Sequence, residues 1–103
     1  MKIIKCLEKY IDEEIHDSEK YIKKALEIEE EYTELAEVFN MLSSEEMKHM
    51  QILHNQVVKM IDIYRKEHGD PPPAMLAVYD YLHNKIIEEV KEVKVLQQMY
   101  LEK

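Results

Sequence analysis

The chain has 103 residues, with 22 acidic and 14 basic side chains and a formal net charge of −8 at neutral pH. An acidic surface of this kind attracts cations and repels phosphate, which argues against nucleic acid as a partner. The length suits a single domain over residues 1–103 with a modest hydrophobic core.

The composition favours helices throughout. Gly69 is the one glycine, and the three prolines are all in the run at 71–73, so little interrupts helix formation elsewhere. Charged and apolar residues alternate with the spacing of amphipathic helices. We therefore predict an all-α fold with three helices, at about 3–30, 34–67 and 74–101.

The cysteine and hydropathy patterns indicate a reducing compartment. Cys6 is the one cysteine, which excludes an internal disulfide and a cysteine-based zinc site. No apolar run approaches the roughly 20 residues that span a bilayer, so no membrane association is expected. Residues 1–5 lack the long apolar core of a signal peptide. We predict a cytoplasmic location.

The first predicted helix carries a row of mostly apolar residues spaced three and four apart, which is the pattern of a buried seam. Glu14 is the charged residue set into this row. The row consists of Ile4, Leu7, Ile11, Glu14, Ser18, Tyr21, Ala25 and Ile28. A turn should follow near 30–33, with Thr33 as the N-cap of the next helix.

The second predicted helix has a seam that contains both Glu46 and His49, which are three residues apart and therefore share one helix face. The seam reads Leu35, Phe39, Leu42, Glu46, His49, Leu53, Gln56, Met60 and Ile63. A second apolar stripe runs beside it and consists of Met47, Met50, Val57, Ile61 and Tyr64. Because the apolar arc is so wide, we expect this helix to be central in the bundle or to meet another subunit.

The third predicted helix follows a clear stop. Gly69 suits a left-handed C′ position, and Asp70 with the prolines after it suits a new helix N-terminus. The seam of this helix is Met75, Tyr79, Leu82, Ile86, Glu89, Val93, Leu96 and Tyr100. Glu89 is its one carboxylate, and Glu92 would replace it if the helix were rotated.

The seam carboxylates are expected to lie at one height in the bundle. Short turns favour an up-down-up, antiparallel arrangement, in which height is counted from each turn at ~1.5 Å per residue. On this count Glu14 and Glu46 differ by ~5 Å in height, and so do His49 and Glu89. The sequence therefore predicts that these four side chains converge.

A convergence of acidic groups in an apolar layer points to a metal. An unpaired buried carboxylate costs several kcal/mol or becomes protonated, and the seams contain no Lys or Arg to pair with it. Carboxylates with one imidazole suit iron or manganese, and zinc is also compatible. A neutral carboxyl cluster, or glutamates that reach around the helix to water, is the alternative explanation. The protein would then be a metal-free structural or adaptor protein that binds a partner through its second stripe.

The combination of Glu14 with Glu46-x-x-His49 resembles the half-site of the ferritin-like superfamily, which includes rubrerythrins and encapsulated ferritins. The resemblance extends from Asp12 to His54, and Tyr21, seven residues after Glu14, matches the spacing in encapsulated ferritins. It implies a ferritin-like bundle that binds non-haem iron and oxidises Fe²⁺ with O₂ or peroxide, as a ferroxidase or peroxide-reducing oxidoreductase does.

The chain also departs from that family. It has three predicted helices in place of four and no second Glu-x-x-His; Asp80-x-x-His83 lies off the third seam and is interpreted as a surface pair, and His54 as an edge residue. Either Glu89 completes a one-metal site, or two subunits pair their half-sites across a two-fold axis in a dimer or higher oligomer. No Cys-x-x-Cys electron-transfer domain and no shell-targeting tail are expected.

Overall fold

The computed structural model describes residues 2–103, which form three helices: α1 (Lys2–Ile28), α2 (Thr33–His68) and α3 (Pro73–Leu101). The all-α prediction is confirmed, and each predicted helix end lies within two residues of the observed one. The described chain measures 56 × 18 × 18 Å, so the helices lie along one axis as an up-down-up bundle. None of the helices in this range is long and apolar enough to cross a membrane.

Two apolar clusters form the core. The larger one contains Ile4, Ile11, Ile15, Met50, Val57 and Val93, and it draws on all three helices. The smaller one lies near the first turn and contains Ile22, Ala25 and Ala36. Four isoleucines of α1, at 4, 11, 15 and 22, are fully buried, so α1 supplies most of the apolar surface that holds the bundle together.

A pair of buried serines joins α1 to α2 between these clusters. The hydroxyl of Ser18 donates to the backbone carbonyl of Ser43 at 2.8 Å, and the hydroxyl of Ser43 donates to the carbonyl of Ser18 at 2.8 Å. The Gln97 amide of α3 donates to the Ser43 hydroxyl at 3.0 Å. Small side chains let the helix backbones approach, and the reciprocal hydrogen bonds set the height of one helix against the other.

The central helix is α1, so the first of the two explanations for the wide apolar arc of α2, that α2 is central, was wrong. Helix α1 packs extensively against α2 and less against α3, whereas α2 and α3 make few close backbone approaches. The buried residues of α2 are Ala36, Ser43, Met50 and Val57, each one position after a residue of the predicted seam. The predicted seam therefore borders the buried stripe, rotated from it by about 100°.

At both turns the helix caps differ from the predicted ones. Thr33 is the first residue of α2 and not its N-cap; its hydroxyl donates to the Glu29 carbonyl at 3.0 Å. Gly69 has the predicted positive φ, 76°, but its ψ of −168° makes the chain leave α2 extended. Helix α3 begins at Pro73 with Pro72 at its cap, so Asp70 does not cap it.

Candidate metal centre

Three of the predicted ligands come together where α1 faces α2. Glu14 lies one helical turn before Ser18, and Glu46 lies three residues after Ser43. The serine pair therefore fixes the height at which the two carboxylates face each other, and His49 follows on the next turn of α2. The short turn at 29–32 is what brings these positions of the chain together.

The candidate ligand atoms of these three residues lie close enough to one another to share one metal ion. One atom each from Glu14, Glu46 and His49 all lie within 4.8 Å of one another. The His49 Nδ1 is 3.6 Å from Glu14 Oε2 and 3.7 Å from Glu46 Oε1. The carboxylate side chains are 25% and 19% exposed and the imidazole is 55% exposed, so the group opens to one side. This differs from the prediction that His49 lies on a buried seam.

Glu14 strongly perturbs the ionisation of Glu46. A side-chain hydrogen bond with Glu14, burial and the negative charge of Glu14 raise the pKa of Glu46 to about 7, and His49 only partly opposes this. Glu14 Oε2 is buried and has no hydrogen-bond partner within residues 2–103. Across that range both carboxylates have ion pairs with His49 alone. A divalent cation would relieve the repulsion between the two carboxylates and take Glu14 Oε2, which accepts no hydrogen bond within residues 2–103, as a ligand.

Glu89, the fourth predicted ligand, does not belong to this group. It lies with Asp12 and His16, in a second group whose ligand atoms fall within 4.8 Å of one another. Asp12 and Glu14 are two residues apart and thus about 200° apart around α1, so the groups occupy opposite sides of its buried stripe. Counting from the turns estimated the height of Glu89 but not the direction in which it points.

The environment of Glu89 resembles that of Glu14 in one respect. Its Oε2 is the other buried side-chain atom without a hydrogen-bond partner among the described residues. Burial and the charge of Asp12 raise the pKa of Glu89, while Lys85, with its Nζ 4.0 Å from Glu89 Oε1, opposes the rise. Because a lysine already faces this carboxylate, its neighbourhood is an ion-pair network on the α1–α3 side.

Two histidines that the sequence analysis placed at an edge and on the surface lie together in the structure. The rings of His54 and His83 stack, with centroids 5.5 Å apart and planes inclined by 26°. Counting residues from the second turn places these histidines at the same height in the bundle, because His54 is 15 residues before Gly69 and His83 is 14 after it. Tyr21 is half-buried and stacks on Phe39 at a centroid distance of 6.0 Å.

The fold and the site define a helical bundle with a carboxylate–imidazole cluster between its first two helices. No family model, no curated protein and no solved structure matches this chain. The geometry of the cluster and the motif resemblance of Glu14 with Glu46-x-x-His49 are therefore the two features that bear on function.

Proposed function

We propose that the protein binds a divalent transition-metal ion, iron in the first place, through Glu14, Glu46 and His49. The observation that carries the proposal is the buried Glu14 Oε2, which has no hydrogen-bond partner among the described residues, beside a carboxyl whose pKa is raised to about 7. A fold held by a few kcal/mol keeps such a pair only where something compensates its cost. Two carboxylates and one imidazole are ligands for iron or manganese, and they also accept zinc.

The resemblance to the ferritin-like superfamily extends this proposal to a reaction. An iron ion held by Glu14, Glu46 and His49 would supply redox chemistry toward O₂ or peroxide, as in a ferroxidase- or peroxidase-type oxidoreductase. In that role the residues of this chain hold the ion: Glu14 and Glu46 offset its charge, and the exposed side at His49 admits the oxidant. Three protein ligands leave coordination positions open for it.

A dimer follows from the same proposal. A second copy across a two-fold axis would add the same three ligands at the open side of the cluster, as the resemblance implies. Exposed apolar residues on that side of the hairpin support such an interface: Ile3 and Tyr10 before Glu14 on α1, and Leu35 and Ile63 on the predicted α2 seam. In a two-fold dimer, the interface would bury these side chains and would also cover the open side of the cluster.

Metal analysis of protein purified without chelators tests the proposal. We expect stoichiometric iron, manganese or zinc in the wild type and its loss in Glu46→Ala, with Glu45→Ala, an exposed neighbour, as the control. Equal metal content in wild type and Glu46→Ala would refute the metal assignment. Mixing the metal-free protein with Fe²⁺ in air tests turnover, and a rate no higher than the protein-free control would remove the reaction. Mass measurement in solution tests the dimer.

A second candidate is a metal-free structural or adaptor protein that binds a partner through an apolar helix face. The observation that favours it is a set of exposed apolar side chains on the outward side of α2, namely Val38, Met41 and Ile52. The stripe named in the sequence analysis does not serve this role, because its Met50 and Val57 are buried in the core. Metal-free wild-type protein that retains its fold would favour this candidate.

A further inference from the structure

A groove separates α2 from α3 on the side of the bundle away from Glu14. The two helix backbones make few close approaches, and Ile11 of α1 lies beneath the gap. Two cavities of about 240 and 300 Å³ occupy the groove. His54, His83 and Ile86 line both cavities, so the stacked imidazoles stand where the two meet.

The imidazoles have no other bonded role in the structure. Neither His54 nor His83 makes a hydrogen bond or an ion pair within the described part of the chain, and their contact is with each other. Burial lowers the pKa of His54, and the neighbouring His83 lowers it further, which favours the neutral form of the ring. The neutral ring is the form that binds metal ions.

We propose that His54 and His83 form a two-imidazole site for Cu²⁺, Ni²⁺ or Zn²⁺ that fastens α3 to α2. A metal bonds imidazole nitrogen at ~2.0–2.1 Å, so a shared ion holds two ring centroids roughly 5–6 Å apart. The observed separation is 5.5 Å. Because the rings face each other, coordination needs rotation of each ring about its Cβ–Cγ bond, for which the adjoining cavities leave room.

The charges around the groove indicate how the ion is held. The cavity of about 240 Å³ is also lined by Glu8, Asp80 and Arg65, and the other cavity by Lys91 and Lys94. A cation is therefore favoured on the Glu8 and Asp80 side, where a carboxylate or water completes its coordination. Paired imidazoles select borderline metals over Mg²⁺ and Ca²⁺, which prefer oxygen ligands.

The ion would stabilise the part of the fold that has the weakest attachment. Helix α3 packs on α1 less extensively than α2 does, and the backbones of α3 and α2 make few close approaches. A bond from each side of the groove to one ion adds a second link between α2 and α3, beside the hydrogen bond from Gln97 to Ser43. An ion that binds only the folded state raises the melting temperature. This site shares no residue with the Glu14–Glu46–His49 cluster and does not depend on the proposed function.

The test uses Cu²⁺ and Zn²⁺ in a Cys6→Ser, Glu46→Ala, His49→Ala background, which removes the thiol and the other candidate site. We expect one Cu²⁺ per chain, paramagnetic resonance with coupling to two imidazole nitrogens, and a melting temperature that rises with Cu²⁺ or Zn²⁺ but not with Mg²⁺. His83→Gln, at an exposed position, should fold, weaken Cu²⁺ binding tenfold or more and leave one coupled nitrogen.

His54→Gln is the second variant and should have the same effect. His68→Gln, which changes an exposed histidine outside the groove, is the matched control and should bind Cu²⁺ as the background does. Undiminished binding in His83→Gln and His54→Gln, or a two-nitrogen signal that survives either change, would overturn the proposal. Circular dichroism of each variant establishes that it is folded before metal is added.

Discussion

The carboxyl groups of Glu14 and Glu46 approach each other from different helices, and Glu14 is the main cause of the rise in the pKa of Glu46 to about 7. The approach is enforced by backbone packing nearby, since Ser18 and Ser43 hold the two helices at hydrogen-bond distance. Keeping the two carboxyl groups close together therefore lowers the stability of the folded protein, and this destabilisation can be measured.

The stability of the metal-free protein should fall as pH rises from about 4.5 to 7. The pKa of Glu46 is raised in the folded state, so in this window the folded protein binds more protons than the unfolded chain, and deprotonation favours unfolding. Glu46→Gln removes the titrating group and should be more stable than wild type at pH 8, by about 1–3 kcal/mol, but not at pH 4. Urea unfolding in chelator checks this, with Glu45→Gln as the control; a difference that does not grow with pH would contradict it.

Added Mn²⁺ or Zn²⁺ should reverse that pH dependence. Metal binding requires deprotonated ligands, so the gain in melting temperature should be small at pH 5 and large at pH 8. At a hundredfold excess over the dissociation constant the gain corresponds to about 2.7 kcal/mol. Calorimetry of wild type and Glu14→Gln measures it, in a His54→Gln background so that the groove histidines do not contribute. A gain that is identical in both proteins would contradict the assignment.

Glu89→Gln should leave the metal content unchanged, because Glu89 lies in the other group with Asp12 and His16. Its pKa is raised mainly by burial, so the amide should stabilise the metal-free protein above pH 5 in the same direction as Glu46→Gln. Metal analysis and urea unfolding of the same preparation check both statements. A loss of metal equal to that in Glu46→Ala would place Glu89 at the metal after all.

Ser43→Ala should destabilise the protein by about 1–3 kcal/mol, because it leaves the buried Ser18 carbonyl without the Ser43 hydroxyl and the Gln97 amide without its acceptor. Ser18→Leu should cost more and also abolish metal binding, since a large side chain would push α1 away from α2. Thermal unfolding and metal analysis check these outcomes, with Ser44→Ala as the neighbouring control. Full metal content in a folded Ser18→Leu protein would show that the spacing is not critical.

Gly69→Ala should cost about 1–3 kcal/mol, because a positive φ combined with an extended ψ is open essentially to glycine alone. Gly69 has φ 76° and ψ −168°, and nothing lies within 4 Å of an added Cβ, so the cost is one of backbone conformation and not of a clash. Denaturant unfolding checks this, with Asp70→Ala as the control at the exposed neighbouring position. A cost below that of Asp70→Ala would contradict it.

The sequence was sufficient to predict the helices and one cluster of candidate ligands. Apolar spacing and the Gly69–Pro73 stop are local signals, and they placed all three helices within two residues of where the structure has them. Glu14, Glu46 and His49 were predictable as a group because a short turn joins their helices, which leaves height along the bundle as the main unknown. Counting residues from the turn supplies that height.

Only the tertiary structure determined which face of each helix points toward its neighbours. On α2 two neighbouring rows of residues have the same helical periodicity: one at 42, 49 and 56, the other at 43, 50 and 57. The second row is the buried one, because Ser43 fits against Ser18 and because Met50 and Val57 pack into the core. The orientation of each helix about its own axis also places Glu89 beside Asp12 and His54 against His83, and it makes α1 the central helix. A periodic pattern determines that a helix has a buried face, but the shapes and hydrogen bonds of the side chains it meets determine which way that face turns.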